Sequence, residues 1–281
     1  MSEQPGTTKV SQPAIHLIYA ERHLPKIMPN AIVNAIESID DPQLDGEVRA
    51  SWVYQERQKC LGNIHVGQHH IQVSGLANPL PTEIVDCTIH TSPWLPQMKA
   101  GMRQHVSHLS LVYAGKDHDP VEKMIALYKT AHAFAREDLL GVVNENAWTA
   151  HPIADTLDPE QILSYRQEFP MILWVGYVRF YTNEINFWYV TKGHHIFDVP
   201  DLAYFMRDED ELQQITHHFY NLFFYMSGED VVVSAGDTLE IANTNQFLRF
   251  KNVPEGADFL MGPSGTLVIE KIDPEDIDRG G

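Results

Sequence analysis

Residues Leu139–Val143 form an unbroken apolar run with no helical period, and the chain turns polar immediately after it at Asn144, Glu145 and Asn146. Five consecutive apolar residues bounded this way fit a strand covered on both faces, not a strand with one face in water. Such a strand needs helices or a second layer above and below it, so the chain must build a layered mixture of strands and helices. The polar end continues through Trp148 and His151 to Pro152. A buried strand that emerges into polar and aromatic residues is a place where side chains can be held around a site.

The order of elements extends this reading. Ala14–Ala20 is a short apolar strand, and the spacing of Ile27, Ile32, Val33, Ile36 and Ile39 predicts a helix over Pro25–Ile39. Strands follow at about Val48–Gln58 and Ile64–Ser74, with Gly62-Asn63 as their hairpin connection and Gly67 as a bulge. His105–Ala114 is a strand, and Asp119-Pro120 opens a helix over Val121–Glu137. Met171–Tyr181 and Ile185–Thr191 make a hairpin through Asn183-Glu184, and Asp208–Ser227 is a helix stopped by Gly228. Short strands are predicted at Val231–Val233, Thr238–Ile241, Phe247–Phe250 and Thr266–Ile269.

This order predicts an α+β protein of two ferredoxin-like (βαββαβ) halves, possible as a pseudo-symmetric pair, with antiparallel sheets covered by helices. The first half would span 14–114 and the second 115–269, separate or fused into one domain. Residues 1–13 read as a disordered lead-in without a secretory signal, and 270–281 as a frayed acidic tail.

Charge and cysteine usage narrow the function classes. Residues 1–80 carry 6 basic and 8 acidic side chains, leaving −16 of the net −18 on residues 81–281. That surface repels phosphate backbones, so nucleic acid is not an expected partner, whereas a basic protein is. Cys60 and Cys87 give neither a disulfide framework nor a C-x-x-C, which fits a reducing cytoplasm. No apolar run is long enough for a membrane helix, so no membrane association is expected. Gly-x-Ser-x-Gly, P-loop, Gly-x-Gly-x-x-Gly and H-E-x-x-H patterns are all absent, and no cofactor is expected.

The motifs Ser107-His108-Leu109, Gly141-Val142-Val143, Trp148–Pro152, Leu173-Trp174-Val175 and Thr191-Lys192-Gly193, with Phe197 and Asp198–Tyr204, resemble a bacterial family. It is catalogued as a domain of unknown function, number 4261, and the resemblance covers roughly residues 69–241. It implies a bacterial cytosolic domain and assigns no catalytic residue.

Candidate chemistry gathers at turns and strand ends. Glu145, His151 and His194 supply the carboxylate and imidazoles that general acid–base work requires, with His195, Asp198 and Asp201 nearby in sequence. Asp198 and Asp201 read equally as caps flanking Pro200 before a helix-like segment. His65 and His69 stand four apart on one predicted strand and, with His195, are the weak metal candidates. Trp148, Trp174, Tyr177 and Trp188, together with Asp198 and Asp201, are the residues expected to line a protein-binding face. Two functions remain open. One is a non-enzymatic protein-binding module, of which an immunity-type inhibitor of a basic toxin encoded nearby is one form. The other is a hydrolase, metal-assisted or not, built on Glu145, His151 and His194.

Overall fold

A computed structural model describes residues 12–24, 28–44, 46–153, 156–228, 231–241 and 246–279. The chain forms two compact units, Gln12–Trp174 and one built on Val175–Gly281. Each holds a sheet with helices, so the α+β class stands. The expected lead-in over 1–11 and the helix start at Pro25–Ile27 lie outside the described residues.

The first unit contains β1 (Ala14–Tyr19), α1 (Pro29–Glu37), β2 (Val48–Gln55), β3 (Lys59–Val66), β4 (His69–Leu76), α2 (Thr82–Val85), α3 (Pro96–Arg103) and β5 (Ser107–Tyr113). It continues with α4 (Pro120–His132), β6 (Leu139–Asn144), β7 (Thr149–Pro152), α5 (Pro159–Ser164) and α6 (Met171–Trp174). Its strands form one antiparallel sheet in the order β2-β3-β4-β5-β1-β6-β7.

Two expectations change here. The break between units falls after Trp174 and not at 114/115, because β6 pairs with β1 and completes the sheet that β1–β5 begin. The ferredoxin-like pattern gives way to a seven-stranded sheet in which β3, β4 and β5 stand between β1 and β2. The stretch expected as two strands over 48–74 is three. Gly67, at φ 55°, is the turn between β3 and β4, while Gly62 lies inside β3 opposite Trp52. A left-handed φ is what a tight reversal needs and glycine adopts it without penalty.

Local chemistry sets the central elements. All six residues of β1 are buried. The Asp119 carboxylate caps α4 by accepting from the Val121 and Glu122 backbone N–H groups at 2.8 and 3.4 Å, with Pro120 in the first turn. Met124, Ile125, Leu127 and Tyr128 of α4 are fully buried, each contributing about 1.5–3 kcal/mol.

The second unit holds β8 (Gly176–Tyr181), β9 (Phe187–Lys192), β10 (Asp201–Met206), α7 (Leu212–Met226), β11 (Thr238–Ile241), β12 (Gln246–Lys251) and β13 (Thr266–Ile272). Their order is β11-β12-β13-β10-β9-β8, antiparallel except for the parallel β10–β13 pair. The β8–β9 hairpin occurs as predicted, with Asn183 Oδ1 accepting from the Ile185 and Asn186 N–H groups in its turn. Its first strand starts only at Gly176, since Met171–Trp174 coil into a helical turn after Pro170. Val231–Val233 is irregular, and Glu270 is not frayed: β13 runs through it, and Lys251 pairs with it at 2.5 Å. Among the described residues no helix is long and apolar enough to cross a membrane. Cys60 and Cys87 are both free thiols.

Candidate functional site

The face of the first sheet formed by β3, β4 and β5 carries Asn63, His70, Gln72, Ser74 and Ser110, all half-buried or exposed. Register places Ser74 opposite Ser110 and Ser110 opposite His16 of β1, so these three side chains leave the sheet on one side. His16 is 6% exposed, while Ser110 is only half-buried. His16 Nδ1 lies 2.8 Å from Ser110 Oγ, and His16 Nε2 lies 3.4 Å from Glu145 Oε2. The second contact is electrostatic in this arrangement, because Nε2 makes no well-aligned hydrogen bond.

Glu145 stands just past the end of β6, in the turn to β7. That turn is fastened from within: Asn144 Oδ1 accepts from Ala147 N–H at 3.3 Å, and Asn146 Oδ1 accepts from Ala14 N–H at 3.1 Å. The second bond ties the turn to the start of β1 and so holds Glu145 beside His16. The His16 imidazole holds the Glu145 carboxyl below the usual carboxylate range, against the opposing effect of partial burial. An ionised Glu145 favours the tautomer with hydrogen on Nε2, which leaves Nδ1 to accept the Ser110 hydroxyl proton. Ser110, His16 and Glu145 therefore compose a hydroxyl–imidazole–carboxylate relay.

The other sequence-predicted residues of this unit lie elsewhere. His151, on β7, is 2% exposed and contacts the Trp94 ring edge-on, with centroids 5.5 Å apart. Trp148 is half-buried at φ 54° in the β6–β7 turn, where its carbonyl accepts from Thr91 Oγ1 at 3.1 Å. Trp174 is fully buried among Tyr128, Tyr165 and Phe169, so it is core and not binding surface. His65 and His69 sit on different strands, β3 and β4, because the chain reverses at Gly67. His65 stacks on His70 at 4.5 Å, whereas His69 is buried, pairing with the Tyr113 hydroxyl at 2.9 Å and Asp117 at 3.7 Å. The expected same-strand pair does not form.

His194, His195, Asp198 and Asp201 belong to the second unit. His194 and His195 form a 3-10 turn with Ile196 and Phe197, and Asp198 closes it at φ 57°. Asp201 opens β10, a strand and not a helix, so no helix follows it to be capped. Its buried Oδ1 accepts the His194 backbone N–H at 3.3 Å, and Lys192 Nζ lies 4.0 Å from Oδ2. Lys192 donates to the Leu260 and Met261 carbonyls at 3.0 and 3.3 Å. Burial pushes the Asp201 carboxyl up to about 7 and the His194 and His195 imidazoles down to about 4. Tyr177 stacks on Tyr189 and Trp188 packs against Phe205, leaving both half-buried.

Among the described residues no three His, Cys, Asp or Glu side chains are grouped to hold a metal ion. No family model matches the chain, and no curated protein or solved structure matches it. Of the relay, Glu145 is legible in the sequence. His16 and Ser110 are not: His16 is a lone imidazole in an apolar strand, and Ser110 shares β5 with Ser107 and His108 without forming a catalytic motif.

Proposed function

We propose that the chain is a hydrolase of acyl bonds, with Ser110 as nucleophile, His16 as general base and then acid, and Glu145 as the group that orients His16. The supporting observation is the 2.8 Å Ser110–His16 contact on an accessible sheet face, with a carboxylate 3.4 Å behind the other ring nitrogen. Ser110 Oγ adds to the substrate carbonyl carbon while its proton passes to His16 Nδ1. Collapse of the tetrahedral adduct expels the leaving group, which takes that proton and leaves an acyl-serine. Water then attacks the ester carbonyl carbon and gives one proton to His16; collapse of this second adduct releases the acid, and His16 returns the proton to the departing Ser110 oxygen. Ser74 and Gln72, exposed on the same face of β4, offer a hydroxyl and an amide to the developing oxyanion.

The test combines a fluorophosphonate probe with a panel of p-nitrophenyl esters. A single adduct on Ser110, absent from Ser110→Ala and from His16→Ala, is the expected result. Folded wild-type protein that takes no label and turns over no ester overturns the proposal.

A second reading, the protein-binding module, rests on another surface. Tyr220, Phe224 and Tyr225 of α7 are 43%, 39% and 47% exposed, and the first two rings touch at 4.8 Å. The acidic run Asp208–Glu211 precedes the helix. Exposed aromatics on a chain of net charge −18 suit a basic protein partner, a toxin in the immunity form. Coexpression with neighbouring genes should then yield a salt-sensitive complex, and recovery of none at low salt would count against it. Membership of the domain-of-unknown-function family is proposed on the same footing. Two of its motifs, Ser107–Leu109 and Gly141–Val143, directly precede Ser110 on β5 and lead into Glu145 after β6.

A further inference from the structure

The open face of the first sheet carries a lane of apolar side chains that starts at Ser110. Register runs from Ser110 on β5 to Ser74 on β4, from Ser74 to Leu61 on β3, and from Leu61 to Tyr54 on β2. Directly opposed residues share a face, so this row leaves the sheet on the same side as His16. Leu76 flanks the row: it opposes His108, two residues before Ser110, and Lys59, two residues before Leu61. Leu61 is half-buried, while Leu76 and Tyr54 are 46% and 40% exposed. Lys59 Nζ lies 5.4 Å from the centre of the Tyr54 ring, which puts that ring on the same face and marks the far end of the lane. Three strand spacings of about 4.8 Å place Tyr54 about 14 Å from Ser110, the reach of an extended acyl chain of roughly ten carbons.

The lane lies on the side of Ser110 remote from His16, and that decides what occupies it. In the adduct on Ser110 Oγ the leaving atom must sit beside His16 Nδ1, which lies 2.8 Å from that oxygen and returns its proton to the leaving group. His16 belongs to β1, and around it the same face is covered, with Ile18, Val143 and Ala150 buried in one cluster with Ile89 and Met102. The acyl substituent therefore points away from β1, over β4 and β3, where Leu76, Leu61 and Tyr54 lie. None of these three side chains, nor Ser74, carries a charge at neutral pH, so an apolar chain laid across them strips no ion of its water.

We infer that this lane receives the acyl chain of the substrate, and that the preferred substrates are esters of uncharged, medium-chain acids. The inference rests on Ser110 being the nucleophile proposed above.

The test measures kcat/KM of the wild-type protein on p-nitrophenyl acetate, butyrate and octanoate, each kept below its micellar range. A half-buried methylene is worth about a twofold gain, so octanoate should exceed acetate by roughly 50-fold. Leu76→Ser and Tyr54→Ser, both at exposed strand positions, should each cut the octanoate-to-acetate ratio at least about threefold. That ratio does not depend on how much of a variant folds. A wild-type ratio below about three, or a ratio undiminished in either variant, overturns the lane and leaves Ser110 standing as nucleophile. Turnover of none of the three esters overturns the nucleophile and the lane together.

Discussion

The polar groups around His16 and those around Lys192 are built from similar side chains, yet they differ in what lies beyond them. Beyond Ser110 is an open sheet face with Ser74 and Gln72 exposed. Lys192, His194, His195 and Asp201 are each 4% exposed or less, and the Lys192 ammonium is consumed by two backbone carbonyls and a carboxylate. In the first cluster a proton can pass to an incoming group. In the second, burial fixes which groups stay neutral, and a reactant has no route in. The same residue types thus form a cluster open to solvent in one unit and a sealed one in the other, with access as the variable that separates them.

The largest expected contrast is kinetic. Ser110→Ala and His16→Ala should each lower ester turnover by at least about 10³-fold, with Glu145→Gln costing about 10²-fold, as measured by kcat/KM. None of these should move the midpoint of urea unfolding as far as a change at Lys192 does. Lys192→Ala takes the charged donor away from the buried Leu260 and Met261 carbonyls and should destabilise by about 1–3 kcal/mol in chemical unfolding, with ester turnover per folded molecule unchanged. Turnover that collapses in Lys192→Ala but survives in Ser110→Ala would reverse the two assignments.

Acid stability gives the next effect. His151, His194 and His195 sit near 4 in the fold against an ordinary 6.5. The unfolded chain therefore binds more protons at these sites, and their stabilisation, complete above pH 6.5, is lost as pH falls toward 4. Asp201 runs the other way. Raised from 3.8 to about 7, it keeps its proton in the fold, and its contribution weakens as pH rises through that window. Three sites outweigh one, so stability by urea titration should rise from pH 4 to 6.5 and then flatten. A flat profile between pH 5 and 6.5 would mean that these imidazoles are not held neutral. The smallest effect belongs to α7: Tyr220→Ser and Phe224→Ser should leave stability within about 0.5 kcal/mol and turnover unchanged, while abolishing capture of a basic partner if that surface is an interface.

Much of the fold was legible because it follows from local patterns. The β1 run, the Asp119-Pro120 start of α4, the β8–β9 hairpin and the apolar stripe of α7 all announce themselves within a dozen residues. What local pattern missed was pairing. Ser110 and His16 are 94 residues apart and become neighbours only through the β1–β5 ladder. A histidine between Ile15 and Leu17 reads as interior, and a serine between two leucines carries no motif. A hairpin turn and a mid-strand glycine look alike without their partner strands, so the sequence points to a turn at Gly62 where the chain in fact reverses at Gly67. Strand alternation points Trp174 toward a binding face, and the helical turn at Met171 that carries it inward has no sequence signal beyond Pro170.

The place of β1 inside its sheet, paired along both edges, also shapes how the chain is made. Its two neighbours end at Tyr113 and Asn144, so during synthesis β1 leaves the ribosome with both edges bare and keeps one bare until β6 follows. Ala-Ile-His-Leu-Ile-Tyr is a six-residue β-prone segment with no formally charged side chain apart from any charge on histidine, the kind that pairs readily with another copy of itself. The cell's exposure to that hazard scales with the time taken to translate the next hundred or so residues, and slower elongation through this region would be expected to lower the yield of native chain.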